Sequence, residues 1–298
     1  MKIWSKRLIF AVVLGLLAGT GFYLFPHYWN QARAVAYGTY RHYGRTQALT
    51  SLDGYLMASS QHFVLYYRPE DADAVDLILE TAERVYGPVV ARVGRRPSDP
   101  VPILLYASRR EMRSAFGWGN GESALGVYWK GTVRLLSPNV WIGQESERTR
   151  NRVFERMNPI AHELTHYILD YETSGNYTRW FSEGLAQWVE YHVSGYLWIE
   201  SDSSLRQPLY TMEDLERRFA VLPNQALAYR QSYLLVTYIE ARFGSESLLS
   251  IVDHLEDGHP IDTALRRAVG LSSRQLHTGW EKWLEENLDL LEPEGLGV

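Results

Sequence analysis

Hydrophobic and polar positions along this chain of 298 residues change period several times, and each change predicts an element. Behind Lys2, Lys6 and Arg7 comes an uncharged, mainly apolar run of eighteen residues, Leu8 to Phe25. Its length is near the lower limit for a membrane-spanning helix and exceeds most signal-peptide cores. Tyr23, Tyr28 and Trp29 fall where an interfacial aromatic belt belongs. The pattern predicts an N-terminal signal anchor over residues 1–30. The basic flank would stay in the cytoplasm and the rest of the chain would lie outside it, periplasmic or extracellular. Ala32, Ala34 and Ala36 are distant cleavage candidates for a secreted form.

Residues 31–58 are rich in Ala, Tyr, Gly and Arg with weak periodicity, and read as a linker or short helix. Beyond Gln61 the pattern sharpens. HFVLYYR has strand content, and DADAVDLILETAERVYGPVVARVG is an amphipathic helix that starts near Asp71 or Asp73 and ends at Gly94. VPILLYA reads as a buried strand, and SRREMRSAF as a short helix capped by Ser108. ALGVYW and TVRLLS, separated by Lys130 and Gly131, predict a hairpin. The order implies an α+β fold with a small mixed sheet subdomain over residues 59–140. Residues 141–157 are charged and Arg-rich, a loop or solvated helix. Everything later shows three- and four-residue apolar spacing, so residues 141–298 predict a helical lobe.

Composition narrows the function classes. Hydrophobic residues make up 46% and charged residues 22%, enough for one globular unit over residues 59–298. A net charge of -5 and a pI near 6.0 leave no electrostatic footprint for nucleic acid. The absence of cysteine excludes disulfides and a thiol nucleophile.

The chemistry concentrates in NPIAHELTHYILDYETSGNYTRWFSEGLAQWVE, Asn158 to Glu190. Asn158 is a good N-cap, and Pro159 loses no hydrogen bond at the first helical position. Helical spacing stacks His162 and His166 on one face, where two imidazoles can share one metal ion. Glu163 lies beside the open side of that metal, placed to take a proton from water. Ser174, Gly175 and Asn176 form a turn, and a second helix starting near Trp180 or Phe181 runs back antiparallel. That return brings Glu183 beside His166, and small Gly184 and Ala186 permit close helix approach. Two His and one carboxylate leave a fourth position open, the arrangement of a hydrolytic zinc site. With nine His in the chain, composition alone would produce H-E-x-x-H roughly 0.02 times.

HELTH at 162–166 followed by WFSEGLA at 180–186 resembles the gluzincin zinc metallopeptidases, most closely the peptidase MA-like family. Leu169 and Glu172 stand where a metzincin would have Gly and His. The resemblance implies a thermolysin-like zinc peptidase architecture, one Zn2+ per chain on His162, His166 and Glu183, and Glu163 as general base. It also implies that an edge strand pairs with an extended peptide or protein substrate, and Ala124 to Tyr128 is the candidate. By its spacing to Gly244, Tyr229 aligns with the tyrosine that gluzincin aminopeptidases use to hold an oxyanion. Gln231 and Ser232 depart from that group's Lys-Gly, and Tyr233 competes for the role. Asp170, Gln187 and Glu190 are weaker candidates for partners of the zinc-directed histidines. His192 and His254 read as surface or packing residues. The expected function is therefore a membrane-anchored zinc metallopeptidase. The alternatives are a zinc hydrolase of a non-peptide amide or ester, and a non-catalytic tethered scaffold on a peptidase fold.

Overall fold

In the computed structural model, which describes residues 28–120, 124–143 and 145–292, the chain enters as one helix, α1, over 28–50. Of residues 31–58, expected to be a linker or short helix, 31–50 are thus part of a longer helix. The weak periodicity reflects a helix whose docked face is built of Tyr and Arg, which a hydrophobic pattern does not register. Tyr28, Trp29 and Val35 remain exposed on it. The anchor expected over residues 1–30 lies outside the described residues, apart from 28–30, which are helical. Among the described residues no helix is long and apolar enough to cross a membrane.

A five-stranded mixed sheet follows in the order β1-β2-β3-β5-β4. β1, Leu56–Ser59, pairs antiparallel with β2, Phe63–Tyr67. β1 falls inside the stretch expected to be a linker; its exposed side chains hide the strand period. A helix, α2, Val75–Val93, carries the chain to β3, Val101–Tyr106, parallel to β2. β3 is buried at every position, as a central parallel strand must be. Gly94 ends α2 at φ 78°, a left-handed cap that other residues adopt at a cost.

A short helix, α3, Arg109–Phe116, is capped by Ser108, whose hydroxyl accepts the Glu111 N–H. β4, Gly126–Trp129, and β5, Thr132–Leu136, form the expected hairpin, with Lys130 at φ 46° and Gly131 at φ 79°. β5 pairs parallel with β3, which leaves β4 at the sheet edge.

The rest of the chain is helical. A single turn, α4, Pro138–Trp141, precedes α5, Glu147–Met157, so the charged segment is a helix that buries Phe154, turns Arg150 in to Asp73 and keeps its other charges outward. Then come α6, Ile160–Thr173; α7, Arg179–Ser194; α8, Met212–Arg217; and α9, Gln225–Phe243. α10, Glu246–Glu256; α11, Ile261–Val269; and α12, Ser273–Leu291, complete the lobe. One hydrophobic core runs from the sheet (Phe63, Leu65, Ile103) through α2 into α6, α7 and α9. The helices carrying HELTH and WFSEGLA are therefore buried between sheet and lobe, which holds their polar side chains in fixed positions.

Candidate active site

α6 starts where local chemistry allows. Asn158 closes α5, and its Oδ1 accepts the Ile160 N–H at 3.1 Å, the capping bond expected of it, with Pro159 between it and the first helical residue, Ile160. α6 ends at Ser174 and Gly175, both left-handed, at φ 50° and 70°. α7 begins at Arg179, slightly ahead of its expected start, and returns antiparallel.

That return brings Glu183 to both histidines. Its Oε2 lies 3.5 Å from His162 Nε2 and 3.3 Å from His166 Nε2, and the two imidazole nitrogens are 3.1 Å apart. A tetrahedral zinc with bonds of about 2.0–2.2 Å needs donor atoms about 3.3–3.6 Å apart; both carboxylate–imidazole spacings meet this and the imidazole pair at 3.1 Å lies just inside it, so donor chemistry and spacing fit zinc. The remaining ring nitrogens are held from behind. His162 Nδ1 faces Glu190 Oε2 at 3.3 Å, and His166 Nδ1 faces Ser182 Oγ at 2.8 Å. With Nδ1 so occupied, both Nε2 atoms are directed at the shared centre. Ser182 carried no sequence signal for this role. Asp170 partners neither histidine and is engaged elsewhere.

Burial raises the Glu163 carboxyl above its ordinary value despite the two neighbouring imidazoles. Glu183 shows the reverse balance: burial pushes it up, but His166 and His162 bring it well below the ordinary range. For His162 burial acts downward, and Glu183 and Glu190 outweigh it to give a net rise. His162 therefore holds a proton that a metal must displace, whereas Glu183 is already ionised.

Glu163 points to the sheet edge, where its Oε2 accepts the Tyr128 N–H of β4 at 2.5 Å. Gly126 makes this approach possible. A Cβ there would sit 2.6 Å from Pro159 Cγ and 2.9 Å from Glu163 Cγ. Leu125 accepts from Leu136 across the hairpin, so by strand alternation Gly126 and Tyr128 turn their amides away from β5, towards α6.

Tyr229 arrives from α9, its hydroxyl donating to Glu183 Oε1 at 3.4 Å and accepting from Arg179 Nη2 at 2.9 Å. Burial, then the Glu183 charge, keeps this phenol protonated far above the ordinary range. Tyr233 packs against Tyr191 instead. Arg179, which also reaches Glu183 at 3.3 Å, escaped sequence reasoning although it directly precedes the WFSEGLA motif. Gln187 donates to the carbonyls of Glu183 and Tyr229, at 3.3 and 3.1 Å, and so fastens α9 to α7.

Two cavities of about 420 and 1090 Å³ share Gly126, His162, Glu163 and Tyr229 in their walls. The smaller extends past Met157 and Trp198, the larger past Arg179 and Tyr128. A cleft thus opens at the donors, its larger part reaching His162, His166 and Glu183 and its smaller part His162 alone. Elsewhere, His254 in α10 and Asp257 and His259 just beyond it also bring three donors within 4.8 Å. His192 accepts no such company; its Nδ1 lies 2.8 Å from the Trp188 carbonyl.

Comparison with curated proteins finds no match. Among family models, that of the Peptidase MA superfamily matches residues 82–286, from within α2 to within α12. This span covers more than half of the chain and contains every residue of the cleft described above. With its HELTH helix, its returning WFSEGLA helix and this match, the chain belongs to the Peptidase MA superfamily.

Proposed function

We propose that this chain is a gluzincin-type zinc metallopeptidase of thermolysin-like architecture, one Zn2+ per chain, cleaving peptide bonds of peptides or proteins. The observation that carries the reading is the convergence of His162, His166 and Glu183, with buried Glu163 beside them, in a cleft bordered by a sheet edge. The expected N-terminal anchor would tether the domain to a membrane with the cleft on the extracytoplasmic side; the support is the apolar run behind Lys2, Lys6 and Arg7.

Zinc, when bound, supplies a Lewis acid that acidifies water and polarises the scissile carbonyl. His162, His166 and Glu183 hold it. An extended substrate lies along the β4 edge, with the Tyr128 amide already held by Glu163, which places its carbonyl over the donors. Glu163 accepts the proton of the attacking water and delivers it to the leaving amine. Burial suits it to both steps, because it brings the carboxyl nearer to neutral pH. Tyr229 donates its hydroxyl to the developing oxyanion, with Arg179 fixing its direction.

The test compares cleavage of a mixed peptide library by the full-length chain, Glu163→Gln and His162→Ala, with zinc content measured for each. Wild type should cleave. Glu163→Gln should keep its zinc and lose about 10²–10⁴-fold in turnover, and His162→Ala should lose both. An active Glu163→Gln enzyme would sink the base assignment. Zinc-loaded wild type that cleaves esters but no peptide would move the reading to a non-peptide hydrolase, and folded protein without zinc would move it to a scaffold.

A further inference from the structure

Asp170 lies one turn beyond His166 on α6 and is 1% exposed. Four side-chain donors from outside α6 converge on its carboxylate. The hydroxyls of Tyr37 and Tyr177 donate to Oδ1 at 2.5 and 3.1 Å. The Tyr128 hydroxyl and Arg41 Nη1 donate to Oδ2 at 2.6 and 3.0 Å, and Arg41 also donates to the Asp170 carbonyl at 2.8 Å. Tyr37 and Arg41 belong to α1, Tyr128 to β4, and Tyr177 to the turn between α6 and α7.

Tyr128 is shared between two carboxylates. Its hydroxyl is bound to Asp170, and its backbone N–H is bound to Glu163 at 2.5 Å. The same hydroxyl accepts the Gly131 N–H at 3.0 Å, which locks the turn of the β4–β5 hairpin. α1 also presses directly on this hairpin. A Cβ on Gly131 would meet Tyr171 Oη at 2.9 Å and Arg41 Cγ at 3.3 Å, and Lys130 Nζ sits 4.4 Å over the Tyr40 ring. A Cβ on Gly175 would strike the Tyr37 ring at 2.4 Å. α1, the first helix among the described residues, is therefore seated against the hairpin and the α6–α7 turn at once.

We propose that Asp170 is a positioning residue that couples the seating of α1 to the placement of Glu163 through Tyr128. The chain is then competent for hydrolysis when α1 is docked. A buried carboxylate holds its donors strongly, because no water replaces a lost partner at little cost. Removing the α1 donors redistributes the remaining bonds around Asp170, and Tyr128 must follow. Its backbone amide moves with it, and Glu163 loses the contact that aims it. Rates fall steeply with displacements of this kind. The proposal rests on the metallopeptidase reading for its catalytic consequence, and on Tyr128 alone for the coupling.

The experiment uses the full-length, zinc-loaded chain in detergent, with Tyr37→Phe and Arg41→Gln on α1 and Tyr128→Phe on β4. Hydrogen exchange of residues 124–130, zinc content, kcat and KM are measured together. Tyr37→Phe is a mild change that leaves the cleft untouched, which guards against simple misfolding. Both α1 variants should speed β4 exchange and lower kcat by about 10-fold. KM should stay within about twofold, with zinc retained and exchange in β3 unchanged. Tyr128→Phe should reproduce the effect. Wild-type β4 exchange in the α1 variants overturns the coupling, and faster exchange with unchanged kcat overturns the positioning role. Zinc-loaded wild type without peptidase activity would count against the function alone, and the exchange comparison would still decide the coupling.

Discussion

His162 and His166 turn Nε2 towards Glu183 while residues behind them, Glu190 and Ser182, face Nδ1. Helical spacing places Gln187 and Glu190 on the Glu183 face of α7, and Asp170 one turn after His166, so these three were candidates for the same task. The tertiary structure assigns them different neighbours. α9 occupies Gln187, α1 occupies Asp170, and Glu190 is left facing His162. Glu190→Gln should therefore weaken zinc binding by about 10–100-fold without unfolding the chain, read by competition with a chromophoric chelator. Unchanged affinity would remove Glu190 from the site. Asp170→Asn should act differently, on turnover rather than on affinity, because its carboxylate faces the hairpin.

Between elements, the close approach that Gly184 allows is with α9, not with α6 as the two-helix reading anticipated. A Cβ on Gly184 would lie 2.3 Å from the Ser232 carbonyl oxygen and 2.8 Å from Val236 Cγ2. A small residue shows that some backbone comes near; which helix does so depends on contacts made by residues dozens of positions away. The carbonyl is part of a buried helix and cannot swing aside. Gly184→Ala should cost about 1–3 kcal/mol, seen as a lower midpoint in urea unfolding. An unchanged midpoint would mean that α9 shifts freely there. The expected elements from Phe63 to Thr132 and the helices of the lobe were legible because their apolar spacing is strong. β1 and α1 were not. β1 is four residues long with three exposed, and α1 docks through Tyr and Arg rather than through an aliphatic stripe.

For the whole molecule, α1 turns what resembled a spacer into part of the folded domain. Tyr37, Tyr128 and Tyr177 are each held above the ordinary phenol range, chiefly by burial and next by the Asp170 charge. Their folded pKa values are raised, so the contribution to stability is complete below the unfolded value of 10.0 and declines as pH rises past it. There the unfolded chain releases phenol protons that the folded chain retains. Thermal stability should fall on the alkaline side of about pH 10, and the slope should be shallower in Tyr37→Phe, which lacks one of these groups. Parallel slopes in the two proteins, followed by scanning calorimetry, would show that Tyr37 does not contribute.

By itself the sequence determined the superfamily and the grouping of His162, His166 and Glu183, because HELTH and WFSEGLA are local patterns whose helical periodicity states which side chains share a face. It also determined the hairpin, since Lys130 and Gly131 sit between two apolar strand patterns. What surrounds those motifs was decided in three dimensions. The Tyr128 amide on Glu163, Arg179 on Tyr229 and the four donors on Asp170 join segments up to 133 residues apart. No short-range pattern encodes such pairings, because a buried polar group is satisfied by whichever donor the packing of the core brings to it.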